Sequence, residues 1–253
     1  MDSVKSLLEM LGAKSPVTGA GPWVVAASGL GTLLTEADIQ VLSRVCSVRT
    51  YRKGDRIYRC GDAADELFVL LDGHVKISAP TRLRGERIVA VCGPDDFFGE
   101  AFLTGAVTRV SDAISLTEGA LVCPISRANF LEVARQAPSV VLAFTTTLAG
   151  HAQALQARLE VLRLPAPARL ARTLLNLAER LGQDSENGWR DLHVNLKHEE
   201  LADIANVSRV TVTEHLSAWR SQALVLGTRG HYSVHMADLE MWAEQLEVEA
   251  VRW

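Results

Sequence analysis

Residues 197–219 read KHEELADIANVSRVTVTEHLSAW, the pattern of two short helices joined by a tight turn. Leu201, Ala202, Ile204 and Ala205 give the first helix an apolar face with small side chains where a second helix crosses closely. Asn206 comes next, a residue that tolerates the left-handed backbone a sharp turn demands. Ser208 stands at an N-cap position, and Val212, Leu216 and Trp219 recur behind it at helical spacing. The opposite face carries Arg209, Thr211, Thr213, Glu214 and His215, side chains able to bond phosphates or meet base edges. Any two-helix hairpin shows part of this pattern. The next stretch narrows the reading: residues 224–235, LVLGTRGHYSVH, form a strand pair around a glycine-flanked turn. A hairpin after the second helix is a wing, whose tip, Arg229 and His231, is expected near the sugar-phosphate backbone. The segment therefore predicts a winged helix-turn-helix that reads double-stranded DNA in the major groove.

The bulk properties frame that reading. At 253 residues the chain has room for two domains, and 48% hydrophobic with 22% charged residues is ordinary for a water-soluble chain. No apolar run reaches the ~18 residues needed to span a bilayer, so no membrane partner and a cytoplasmic location are expected. A net charge of −4 and a pI near 6.0 argue against non-specific coating of nucleic acid, not against local readout. Lys197, Arg209, Arg220 and Arg229 supply positive charge around the DNA face. Asp238, Glu240, Glu244, Glu247 and Glu249 collect in a C-terminal helix expected to turn away from it. Cys46, Cys60, Cys92 and Cys123 form no CxxC pair and sit in apolar strand contexts, which predicts buried free thiols rather than disulfides or an iron–sulfur site. His231 and His235 lie about 13 Å apart on an extended strand, too far for one metal ion. No G-x-S-x-G, HExxH or Walker spacing occurs, so no enzyme is expected.

Along the chain, residues 1–30 read as an N-terminal extension. Thr35 to Asp38 then opens a helix with a near capping box. Between residues 48 and 125 short apolar runs alternate with turns such as Lys53-Gly54-Asp55, Cys60-Gly61-Asp62 and Leu71-Asp72-Gly73, the texture of a β-barrel or jelly roll. Pro138 begins a helix to about Leu162, with Val141, Phe144, Leu148, His151, Leu155 and Leu162 along its stripe and Thr145, Ala152 and Leu159 beside it. That stripe predicts a dimer seam; the alternative is a helix packed on its own barrel. Pro165-Ala166-Pro167 breaks the helix and marks a hinge. Leu170, Leu174, Leu177 and Leu181 form a buried stripe beyond it. The expected fold is α+β: a jelly-roll effector domain over residues 31–137, a dimerisation helix over 138–164 and a winged helix-turn-helix over 165–253.

In that order these parts resemble the CRP–FNR family of bacterial transcription regulators. Gly93-Pro94-Asp95-Asp96-Phe97-Phe98-Gly99-Glu100 is similar to the family's lead into its phosphate cassette, and the barrel turns Lys53-Gly54-Asp55, Gly61-Asp62 and Leu71-Asp72-Gly73-His74-Val75 fit as well. So do residues 169–178, RLARTLLNLA, and Ser208-Arg209-Val210-Thr211-Val212; the likeness covers residues 33–240. It implies that Glu100, after Gly99, accepts ribose hydroxyls of a cyclic nucleotide while an Arg-Ser pair holds the phosphate. Counted without gaps, that pair falls on Val110-Ser111, with Arg109 one residue early. Either the loop shifts by one and Arg109 reaches the pocket, or the phosphate loses its main cation. The positions that meet the adenine correspond to Leu155 and Gln156. The effector is left open between a cyclic nucleotide such as cAMP, another small anion, and none. Haem, iron–sulfur or other metal ligands of the family's other branches are not matched.

For DNA the resemblance implies that Lys197, His198, Ser208 and Thr211 contact phosphates and that Arg209 reaches a guanine edge. Val210 would meet a thymine methyl and Glu214 a cytosine amine, with Thr213 beside them. His215 stands where an apolar side chain is usual. A homodimer on a palindromic operator, contact with RNA polymerase, and a ligand-driven population shift are expected. Rivals are a constitutively DNA-competent regulator and a module that contacts RNA polymerase alone.

Overall fold

The computed structural model describes residues 33–81, 85–192, 194–228 and 230–251, so the N-terminal extension lies outside the described residues. The chain divides into two compact units, one ending at His151 and the other beginning at Ala152. Each unit is built around its own core.

Helix α1, Glu36–Val45, opens on the capping box legible in the sequence. The Asp38 amide donates to the Thr35 hydroxyl at 3.3 Å, and the Thr35 amide donates back to the Asp38 carboxylate at 2.9 Å. Two four-stranded antiparallel sheets come after it. One is ordered β1 (Arg49–Tyr51), β8 (Ala120–Ser126), β3 (Glu66–Asp72), β6 (Phe97–Phe98); the other β2 (Arg56–Tyr58), β7 (Asp112–Ser115), β4 (Val75–Thr81), β5 (Gly85–Cys92). This is the expected double-sheet jelly roll. Side-chain alternation along β3 sorts its residues between two environments. Leu67, Val69 and Leu71 join Phe97, Cys123 and Ile125 in a cluster with Ile39 and Leu42 of α1, Phe130 of α2 (Arg127–Gln136) and Phe144 of α3 (Pro138–Val161). Phe68 turns the other way and stacks on Phe98 and Tyr58, with ring centroids 5.3 and 5.6 Å apart.

The cysteines correct the thiol expectation in part. Cys46, at the C-cap of α1, and Cys123, in β8, are joined as a disulfide with Cα atoms 5.6 Å apart. Both face the cluster between α1 and the first sheet, a proximity across 77 positions that no local pattern announces. Cys60, which is exposed, and Cys92, which is buried, carry no disulfide.

The stripe on α3 also differs from expectation. Val140, Ala143, Phe144 and Thr147 are buried, and His151 stacks on Phe97 at 5.1 Å. Phe144 and His151 thus serve their own domain, as expected of a helix packed on its own barrel. Leu148, Leu155 and Leu159 are 42%, 59% and 62% exposed in the single chain. The outward row on α3 therefore runs through Thr145, Leu148, Ala152, Leu155 and Leu159, in alternating three- and four-residue steps.

In the second unit, Pro165 N-caps helix α4, Ala166–Leu181, and Pro167 sits in its first turn. Leu170, Leu174, Leu177 and Leu181 are buried along it as expected. Helices α5 (His198–Ala205) and α6 (Arg209–Ser221) come next, then α7 (Met236–Val251). A third sheet is ordered β11 (Val225–Leu226), β12 (Ser233–His235), β10 (Trp189–Leu192), β9 (Gly182–Asp184). The wing hairpin is the expected β11–β12 pair, with Val225 opposite Val234. Two acids of α7 are bonded to α4. The Arg172 guanidinium of α4 donates to Glu247 through both Nε (2.6 Å) and Nη2 (3.1 Å), and through Nη1 to Glu240. Those bonds, Glu247 foremost, drive the Arg172 pKa upward and fasten α7 to α4.

Candidate DNA interface and effector site

The turn between α5 and α6 is built as its residues demand. Asn206 adopts φ 53°, ψ 48°, and Ser208 caps α6 by accepting from the Thr211 amide at 3.0 Å. Val212, Leu216 and Trp219 are fully buried, which fixes which face of α6 looks out. On that face Arg209, Val210, Thr213 and Glu214 are exposed, with Ser208 and Lys197 alongside. Arg209 reaches Glu199 of α5 at 3.5 Å, an ion pair between two exposed side chains that solvent screens. His198 Nδ1 and the Thr213 hydroxyl lie 2.9 Å apart. Partial burial, and then the positive charges of Arg220 and Arg209, hold the His198 pKa below its ordinary 6.5. The Arg220 Nε–H donates to the Gly227 carbonyl at 2.7 Å, so this cation is anchored to the wing turn. Gly227 has φ +86°, and a Cβ there would stand 2.1 Å from the His231 carbonyl oxygen; only glycine lets the turn close. Arg229 lies outside the described residues.

His215, unexplained in the sequence, gains a physical role. Its ring lies 5.7 Å from Trp219 and 6.2 Å from Trp242 of α7, and the two indoles meet edge-on at 5.0 Å. The back of α6 thus rests on α7. The i, i+4 spacing of His215 and Trp219 is the available sequence signal, but their partner lies on the next helix. Two arginines brace the turn from behind: Arg158 donates to the Ile204 carbonyl at 3.2 Å and Arg169 to the Asn206 carbonyl at 2.9 Å. His231 and His235 have separate partners, Asn195 at 3.3 Å and the Asn187 carbonyl at 3.0 Å. Among the described residues no group of three or more His, Cys, Asp or Glu could hold a metal ion.

The first unit brings Gly99, Glu100, Arg109 and Ser111 together. Arg109 is 3% exposed, whereas Val110 is 68% exposed. The Arg109 backbone is pinned by hydrogen bonds with Gly61 and Asp62 at 2.9 and 2.8 Å. Its guanidinium donates to the carbonyls of Gly99 and Glu66 and lies over the Tyr58 ring at 4.5 Å and the Phe68 ring at 5.3 Å. Its Nε–H is buried with no hydrogen-bond partner. Gly99 has φ +80°, and a Cβ there would come within 2.9 Å of both Arg109 Nη1 and the Phe68 ring. Glu100 opens a short 3₁₀ turn, Glu100–Thr104, and is half-buried. Burial, partly offset by a hydrogen bond with Ser111 and the Arg109 charge, pushes the Tyr58 phenol up to about 12. Leu155 and Gln156 belong to the second unit's stretch of α3, where both are exposed.

Comparison with known proteins accounts for both halves. Residues 48–137 match the cyclic nucleotide-binding domain family, and residues 168–241 match the Crp-like helix-turn-helix domain family. The cyclic AMP receptor protein of Thermus thermophilus is 30% identical over 193 residues, 76% of this chain and 85% of the relative. The chain belongs to the CRP–FNR family of transcription regulators. A CRP-like cAMP-activated global transcriptional regulator of Mycobacterium tuberculosis is 26% identical over 195 residues, 77% of this chain and 86% of that one. A solved structure of a CRP-family transcriptional regulator from Thermus thermophilus superposes with a TM-score of 0.62 at 26% identity, covering 78% of this chain and 96% of that structure. This CRP–FNR regulator pairs a cyclic nucleotide-binding domain with a DNA-binding helix-turn-helix. Its relatives are regulators and not enzymes. Among the described residues no helix is long and apolar enough to cross a membrane.

Proposed function

We propose that this CRP–FNR regulator acts as a homodimer on a palindromic operator, and that a cyclic nucleotide, cAMP first, shifts its population toward the DNA-competent form. One observation carries the DNA half. The N-terminal turns of α6 present Arg209, Val210, Thr213 and Glu214 to solvent on a helix whose other face is wholly buried. Arg209 meets a guanine edge, Val210 a thymine methyl and Glu214 a cytosine amine. Lys197, His198, Ser208 and Thr211 meet phosphates, with Thr213 steadying His198 and Arg229 reaching the backbone from the wing. The exposed row on α3 supports pairing of two copies. Half-sites then lie about one helical turn apart. RNA polymerase is the further partner of the bound dimer.

For the effector, the buried guanidinium of Arg109 with its unpaired Nε–H supports an anionic guest. Glu100 supplies acceptors for a ribose, and Gly99 and Ser111 line the approach. The relatives' names, one a cAMP-activated regulator and one a cyclic AMP receptor protein, point the same way. A second reading, an effector-independent regulator, is favoured by the two carbonyls and two aromatic rings that already surround the Arg109 charge. Operator affinity measured with and without cAMP, beside calorimetry of cAMP with the free protein, separates them. Heat of binding and tighter operator binding with cAMP support the first. Equal affinity and no heat support the second.

A further inference from the structure

Cys46 and Cys123 are not among the residues proposed for DNA or nucleotide recognition, yet their link sits at a mechanically useful place. Cys46 ends α1 with an extended backbone and is half-buried, whereas Cys123 is completely buried in β8. Their Cα separation of 5.6 Å lies within the span a disulfide bridges without backbone movement. The other end of α1 is tied elsewhere. Asp38, 3% exposed, accepts a hydrogen bond from the Ser139 hydroxyl in the first turn of α3, as well as from Thr35. Helix α1 is therefore held to β8 by sulfur at its C-terminus and to α3 by a carboxylate at its N-terminus. The helix that carries the exposed apolar row starts at that second tie.

We propose that Cys46 and Cys123 form a reversible dithiol–disulfide site whose redox state sets how firmly α1 and the first turn of α3 are held on the effector domain. The oxidant class is a low-molecular-weight disulfide. The Cys46 thiolate, the sulfur nearer solvent, attacks one sulfur of the small disulfide, forms a mixed disulfide and releases one small thiolate. The Cys123 thiolate then attacks the Cys46 sulfur and releases the second small thiolate. The two protons lost by the protein thiols go to the two released thiolates. The cysteine pair is oxidised by two electrons and the small disulfide is reduced to two thiols. Excess thiol runs the sequence backwards. In the reduced protein α1 keeps the packing of Ile39 and Leu42 but loses its covalent anchor, so it frays from the Cys46 end and loosens the Asp38–Ser139 tie.

The test equilibrates the full-length wild type, Cys46→Ser and Cys123→Ser in glutathione buffers of stepped thiol-to-disulfide ratio. Free thiols are counted by alkylation and mass spectrometry, and amide hydrogen exchange is followed in α1 and in the first turn of α3. Of the four cysteines, two remain alkylatable in the oxidised protein, Cys60 and Cys92, and all four in the reduced protein, with reversible conversion between them. Exchange in both segments quickens about tenfold on reduction while α6 is unchanged, and both serine variants exchange fast at every ratio. Four free thiols at all ratios, a bond that excess thiol fails to open in the folded protein, or cycling with no change in exchange each overturns the proposal. None of these readouts needs DNA, so failure of both redox forms to bind an operator counts against the DNA reading alone.

Discussion

Arg209 occupies the first turn of α6 with its side chain 69% exposed, and its pairing with Glu199 at 3.5 Å is too solvent-screened to compete with a guanine. Arg209→Ala is expected to cost about 1–3 kcal/mol of operator affinity and to relax preference at one base position. Binding to a panel of singly substituted operators checks this; equal weakening on every sequence contradicts direct readout. His198 gives a second prediction. Its pKa in the free protein is depressed by burial and by neighbouring arginines, and a phosphate at the same ring pulls it back up. Binding then takes up a proton, so affinity rises as pH falls from about 8 to about 6 and levels off below the free-protein pKa. His198→Gln should flatten that rise, and a variant that keeps the wild-type slope contradicts it. Residues such as Asn206 and Ser208 are legible in the sequence because their roles are local: a left-handed turn and an N-cap answer to neighbours within a few positions. The direction of Arg109 is not. It depends on backbone pairing with Gly61 and Asp62, far away in sequence, which sets whether residue 109 or 110 points inward.

At the scale of elements, α7 buttresses the recognition helix. Trp242 closes an aromatic cluster with Trp219 and His215, and Arg172 clamps the helix through Glu240 and Glu247. Trp242→Ala is expected to destabilise the second unit by about 2 kcal/mol, given a half-buried indole, and to leave the effector domain's own unfolding unchanged. Denaturant unfolding followed separately in each unit checks this; an unmoved midpoint contradicts the buttress. Hydrophobic period locates α3, α4, α5 and α6 because each buries one face. The same period misassigns Phe144 and His151, since a helix with apolar residues on two faces offers two stripes and sequence alone does not say which meets the barrel. Strands β9 and β10 are hidden for another reason: Gly182-Gln183-Asp184 has no strand propensity of its own and is extended only because β10 pairs with it.

At the scale of the whole molecule, the proposed pairing of two chains on two half-sites rests on the outward row of α3. Leu155 and Leu159 stand 59% and 62% exposed, an arrangement that costs solubility unless a second copy covers them. Replacing both with Asp is expected to leave a folded monomer at micromolar concentration and to weaken operator binding about a hundredfold, because two linked half-site contacts become one. Sedimentation checks the first half and fluorescence anisotropy the second; a variant that stays dimeric moves the interface elsewhere. Operator recognition of this kind requires two α6 helices, from two chains, to read successive turns of one duplex. The most direct measurement is the mass of the complex on a palindromic operator against a duplex bearing one half-site, by analytical ultracentrifugation. Two chains per palindromic duplex, bound far more tightly than to the half-site, is the predicted result. One chain per duplex, or equal affinity for both DNAs, contradicts it.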